Sequence, residues 1–125
     1  MARILIVDDE AGIRELLAQF LPQDGHSVQT AGSGFEAMWT CAAQPFDLVI
    51  SDVVMPGMDG HHLARWLALN HPATQMALMT GYDVGCQEEG CPYSPRCEFL
   101  AKPFSPGEAV EFVRKILVGS EPDGE

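Results

Sequence analysis

The segment Leu48-Val49-Ile50-Ser51-Asp52-Val53-Val54-Met55-Pro56-Gly57-Met58-Asp59-Gly60 decides how the chain folds. A short apolar run bounded by turn residues is the mark of a buried strand. Asp52 stands at or just past the end of that strand, Pro56-Gly57 forces a turn, and Asp59-Gly60 opens the next periodic segment. A carboxylate carried on a strand tip by a rigid turn is expected to be exposed and fixed in direction. Taken singly, such an Asp is more often a cap or turn residue than a nucleophile. Three further apolar runs end in polar residues, however. Ile4-Leu5-Ile6-Val7 leads to Asp8-Asp9, Met76-Ala77-Leu78-Met79 to Thr80, and Phe99-Leu100-Ala101 to Lys102.

Between these runs the periodicity turns helical. Ile13, Leu16, Leu17, Phe20 and Leu21 recur at helical spacing and end near Pro22. Residues 26–31 read as a weaker edge strand. Ser33 and Glu36 form a capping box that opens a helix closed by Pro45, and residues 46–51 form a third strand. A helix over residues 60–70 points Leu63, Trp66 and Leu67 inward. Strands over 76–80 and 98–101 follow. Ser105-Pro106-Gly107-Glu108 is a second capping box, whose helix turns Ala109, Phe112, Val113, Ile116 and Leu117 inward.

Strands and helices alternating at this spacing predict an α/β fold with a parallel sheet covered on both faces. Right-handed crossovers bring every strand's C-terminal end to one edge, where open α/β sheets bind their ligands. Asp8, Asp9, Asp52, Thr80 and Lys102 are thus predicted to share one crevice.

The 125 residues fit one domain over 1–118, with 119–125 an acidic flexible tail or the start of a linker. A net charge of −11 argues against direct nucleic-acid binding, which needs basic patches. No apolar run approaches a membrane span, and no secretory signal opens the chain. A cytoplasmic protein with reduced cysteines is expected.

Three carboxylates brought together repel unless a cation joins them. An all-oxygen set suits Mg²⁺, or Mn²⁺, which binds one or two carboxylates together with waters and phosphate oxygens. A carboxylate beside such an ion is able to attack phosphorus and form an aspartyl phosphate. Phosphoryl transfer asks the protein mainly for positioning and charge, which the Lys102 ammonium and the Thr80 hydroxyl would supply.

The strings Ile4-Leu5-Ile6-Val7-Asp8-Asp9-Glu10, Asp52 to Gly60, Thr80-Gly81-Tyr82 and Lys102-Pro103-Phe104 together resemble the receiver domain of bacterial two-component response regulators. The resemblance implies a flavodoxin-like five-stranded parallel sheet of order 2-1-3-4-5. It implies that Asp52 takes a phosphoryl group from a sensor histidine kinase or phosphotransfer protein. Asp8 and Asp9 would hold Mg²⁺ with Asp52 and the backbone carbonyl of Val54, Asp9 matching the direct ligand more closely. Thr80 would swing onto the phosphoryl group and Lys102 would pair with it. Phe99 takes the aromatic switch position, without the hydroxyl a Tyr would have, and the bond before Pro103 would be cis. The shifted conformation would control binding of a downstream protein, with a phosphorylation-dependent homodimer left open. Such a domain is a signalling phosphoacceptor that assists only its own phosphorylation and dephosphorylation.

Two features depart from that pattern. Residues 83–97 hold two glycines and two prolines, so the fourth helix of the family is expected to be short or irregular here. Cys86, Cys91 and Cys97 lie there at a spacing unlike that of common zinc sites. Free thiols, a disulfide with a redox role, or a metal site completed by His61, His62 or a partner all remain open. A pseudo-receiver sensing redox state or metal through this loop is therefore the alternative function. A small-phosphoester hydrolase would need a substrate-binding insertion that no loop is long enough to give. A dinucleotide-binding domain would need the glycine-rich turn that Asp8-Asp9-Glu10 replaces.

Overall fold

Described here for residues 2–81 and 98–119, the computed structural model is a doubly wound parallel sheet. The expected short helix of residues 83–97, with Cys86, Cys91 and Cys97, lies outside the described residues, as do residues 120–125. In chain order the elements are β1 (Arg3–Val7), α1 (Ala11–Phe20), a 3₁₀ turn (Leu21–Asp24), β2 (Ser27–Ala31), α2 (Gly34–Ala43), β3 (Leu48–Asp52), α3 (Gly60–Asn70), β4 (Gln75–Thr80), β5 (Glu98–Ala101) and α4 (Pro106–Gly119).

The sheet order is β2-β1-β3-β4-β5, every pair parallel, as the resemblance implies. Alternation along each strand feeds two cores. On one face Leu5, Val7, Val49 and Leu78 pack with Ala37 and Cys41 of α2 and Leu63 and Leu67 of α3. On the other Ile4, Ile6, Ile50, Ala77 and Met79 pack with Leu17 of α1 and Ala109, Val110, Val113 and Ile116 of α4. The central strands are therefore apolar on both sides, whereas edge strand β2 buries only Ala31 fully. Among the described residues, no helix is long and apolar enough to cross a membrane.

Several boundaries differ from the sequence expectation for local reasons. Helix α1 stops at Phe20, and a 3₁₀ turn with Pro22 in its first positions runs from Leu21 until Gly25 ends it in the left-handed region at φ 87°. Strand β3 runs from Leu48 to Asp52 rather than over 46–51, because Asp52 still pairs with Met79 across the ladder. Phe46 is buried just ahead of the strand. Trp66 is only half-buried, and Val110 joins the inward face of α4.

The second capping box forms in full, Ser105 and Glu108 exchanging both bonds, at 3.0 and 2.8 Å. The first forms by half: the Ser33 hydroxyl accepts from the Glu36 N–H at 3.1 Å, but the Glu36 carboxylate accepts from the Gly32 N–H rather than from Ser33.

Candidate functional site

Each strand delivers its polar residue to the same edge. Asp8 follows β1 directly, Asp52 is the last residue of β3, Thr80 the last of β4, and Lys102 follows β5. Oxygens of Asp8, Asp9 and Asp52 lie within 4.8 Å of one another. The Lys102 ammonium sits among them, 3.2 Å from Asp8 Oδ2 and 3.4 Å from Asp52 Oδ1. Its backbone is tied to the neighbouring strand by Lys102 N–H donating to the Thr80 carbonyl at 2.8 Å. The Lys102–Pro103 bond that follows is cis. A cleft of about 310 Å³ opens alongside, lined by Ile13, Gly81, Lys102, Pro103 and Phe104.

Burial separates the two members of the acidic pair. Asp8 is fully buried, and its carboxylate accepts from the Glu10 N–H at 2.9 Å as well as from Lys102. Asp9 is exposed. Asp52 is not the exposed carboxylate expected at a strand tip. Its side chain is only 11% exposed, because β3 is flanked by β1 and β4 and the first residue of α3 closes over its end. Thr80 is buried as well, Val54 is exposed, and Phe99 is half-buried against the α2–α3 core.

The electrostatics follow from that burial. Desolvation pushes the Asp8 carboxyl above the ordinary range, against the opposing pull of the Glu10 N–H and Lys102. Desolvation, then the charge of Asp8, pushes Asp52 up too, although Lys102 and a backbone bond from Val54 pull it down. For Lys102, burial alone would lower the pKa, but the Asp8 and Asp52 charges overcome it and hold the ammonium above its ordinary value. One ammonium thus answers several carboxylates, and the buried pair remains short of positive charge. A donor set of three hard oxygens with that deficit fits Mg²⁺ or Mn²⁺.

Three residues at this edge were not singled out by sequence reasoning. Glu10 Oε1 lies 3.6 Å from the Lys102 ammonium and adds a further carboxylate. Its place directly after the acidic pair was the available signal. Gly60 touches the end of β3, since a Cβ there would lie 2.5 Å from the Asp52 carbonyl oxygen. Arg14 reaches back from α1 to the Asp8 carbonyl at 2.6 Å. Neither of the last two leaves a trace in the sequence pattern. His62 and half-buried His61 lie on α3, where His62 N–H donates to Asp59 Oδ1 at 3.0 Å.

Comparison with known proteins gives one family. Residues 4–114 match the response regulator receiver domain. The response regulator FleR of Pseudomonas aeruginosa is 33% identical over 99% of this chain, which spans 26% of FleR. The chain likewise spans 12% and 48% of two other curated relatives. Among solved structures, Thermotoga maritima response regulator TrrA, in complex with Mg²⁺ and BeF, is 34% identical. It aligns at a TM-score of 0.81, covering 93% of this chain and 99% of TrrA. Vibrio cholerae chemotaxis response regulator CheY4 aligns at 0.83 with 29% identity, covering 93% of this chain and 98% of CheY4.

Proposed function

The chain belongs to the family of response regulator receiver domains, the phosphoacceptor modules of two-component signalling, and from that membership we propose that Asp52 is its acceptor. The observation that carries the reading is the cluster itself. Asp8, Asp9 and Asp52 meet within 4.8 Å, and the Lys102 ammonium bridges two of them.

The donor is the phosphohistidine of a sensor histidine kinase or phosphotransfer protein. An Asp52 carboxylate oxygen attacks phosphorus in line, so that an O–P bond forms as the N–P bond to imidazole breaks. The departing imidazole keeps the electron pair and takes a proton. Asp8, Asp9, Asp52 and the Val54 carbonyl would hold Mg²⁺ or Mn²⁺, which when bound neutralises the phosphoryl oxygens. Lys102 already lies 3.4 Å from Asp52 Oδ1, so its ammonium meets the incoming phosphoryl group with little movement. The Thr80 hydroxyl, at the end of the adjacent strand, hydrogen-bonds a phosphoryl oxygen.

Phosphorylation adds charge and acceptor oxygens at the crevice. A two-state element that binds this charge better in one state shifts population, with Thr80 and Phe99 as the moving parts. The readers are a downstream protein or a second phosphorylated copy. The domain occupies residues 1–118, residues 119–125 are its tail or linker, and its only catalysis is on its own aspartyl phosphate. The family membership favours this reading over a pseudo-receiver, which would have no use for the acidic cluster and its lysine.

Intact-mass spectrometry after incubation with acetyl phosphate and Mg²⁺ tests it. The wild type is expected to gain one phosphoryl group, and Asp52→Asn none. Equal gain by both would remove Asp52 from the role.

A further inference from the structure

Arg14 lies on α1 and is half-buried. Its Nη1 donates to the main-chain carbonyl of Asp8 at 2.6 Å. That carbonyl belongs to the peptide joining Asp8 to Asp9, so the bond sets the plane from which the Asp9 side chain springs. Asp8 has anchors of its own. Its N–H donates to the Ala31 carbonyl at 3.1 Å, and its carboxylate is held by the Glu10 N–H and Lys102. Exposed Asp9 depends on the peptide plane for its aim.

The guanidinium is also walled in from the turn between β2 and α2. A Cβ at Gly32 would come 3.4 Å from Arg14 Nη1 and 3.8 Å from its Cζ. The same point is 3.7 Å from Glu36 Oε1, which accepts from the Gly32 N–H at 2.9 Å. Arg14 therefore stands between a glycine that leaves room for it and a carbonyl that it fixes.

We propose that Arg14 is a positioning residue for the divalent-cation site, acting through the Asp8–Asp9 peptide to aim the Asp9 carboxylate. The inference rests on the reading of Asp8, Asp9 and Asp52 as the metal-holding set. Partners that orient a metal ligand commonly matter to affinity as much as a weaker ligand does. Plain electrostatics predicts the opposite sign, since a guanidinium close to the site repels a cation and its loss would tighten binding. The direction of the change therefore separates positioning from charge.

Calorimetric titration of Mg²⁺ into the full chain provides the test, with wild type, Arg14→Met, Arg14→Lys and Asp9→Asn compared. Positioning predicts about tenfold weaker binding for Arg14→Met. Arg14→Lys recovers only part of the affinity, because an ammonium still donates to the carbonyl but lacks the fixed guanidinium fork. It keeps the charge and so keeps the test decisive should Arg14→Met fail to fold. Affinity equal to or tighter than wild type in Arg14→Met, or wild-type affinity in Arg14→Lys, overturns the proposal. Absence of Mg²⁺ binding by the wild type, or wild-type affinity in Asp9→Asn, overturns the metal assignment and the proposal with it.

Discussion

Lys102 brings a single positive charge to a space that Asp8, Asp52 and Glu10 share at 3.2, 3.4 and 3.6 Å. For Asp52 the balance is unfavourable: burial and the charge of Asp8 outweigh the help of Lys102 and Val54. A neutral side chain of the same shape is then better tolerated at pH 7 in metal-free buffer. Asp52→Asn is expected to raise the melting temperature by about 3–6 °C, of the order produced by 1 kcal/mol in a small domain. Scanning calorimetry checks this, and a lower melting temperature would mean that the Lys102 pair dominates. The identity of the site residues was legible because each follows an apolar run. The burial of Asp52 was not, since it depends on strands and a helix distant in sequence. Arg14 was hidden for a related reason: a charge on an amphipathic helix reads as solvent-facing until its reach is known.

Helix α3 shows how an element holds the site in shape. Asp59 caps it, accepting from the His62 N–H at 3.0 Å, and Asp59→Ala is expected to cost about 1 kcal/mol of stability. Burial would raise the Asp59 carboxyl, but the His62 N–H and ring together hold it below its ordinary value. With a lowered folded-state pKa, its contribution is fully present above about pH 4 and is lost as pH falls through that lowered value. The gap in unfolding free energy between wild type and Asp59→Ala, followed by denaturant titration, should therefore narrow as pH falls below about 4. The next residue, Gly60, admits no side chain. A Cβ would meet the Asp52 carbonyl oxygen at 2.5 Å, the Leu78 Cδ2 at 2.9 Å and the Val53 Cα at 3.0 Å. Gly60→Ala is expected to cost roughly 1–3 kcal/mol and to slow phosphoryl uptake, because the end of β3 must shift. Normal stability with normal uptake would show that the turn yields instead. The cap was visible in sequence as Asp59-Gly60, but the close approach was not, because a glycine after an aspartate already satisfies a turn.

At the scale of the whole molecule, alternation of strand and helix periodicity was enough to predict a parallel sheet, and the crossover rule to gather the polar strand ends at one edge. Strand order came from the family resemblance rather than from periodicity, which does not distinguish one winding of a sheet from another. Element ends shifted by a residue or two wherever pairing with a neighbour outlasted the apolar run, as at Asp52 opposite Met79. The proposed function rests on convergence, since the topology brings Asp8, Asp52, Thr80 and Lys102 from four strand ends to one edge of the sheet. Reductive trapping tests that claim most directly. The protein is treated with acetyl phosphate and Mg²⁺, then with borohydride, which converts an aspartyl phosphate to homoserine, and is mapped by tandem mass spectrometry. Homoserine at residue 52 alone is the predicted result. Homoserine at residue 8 or 9, or at none, would contradict the account.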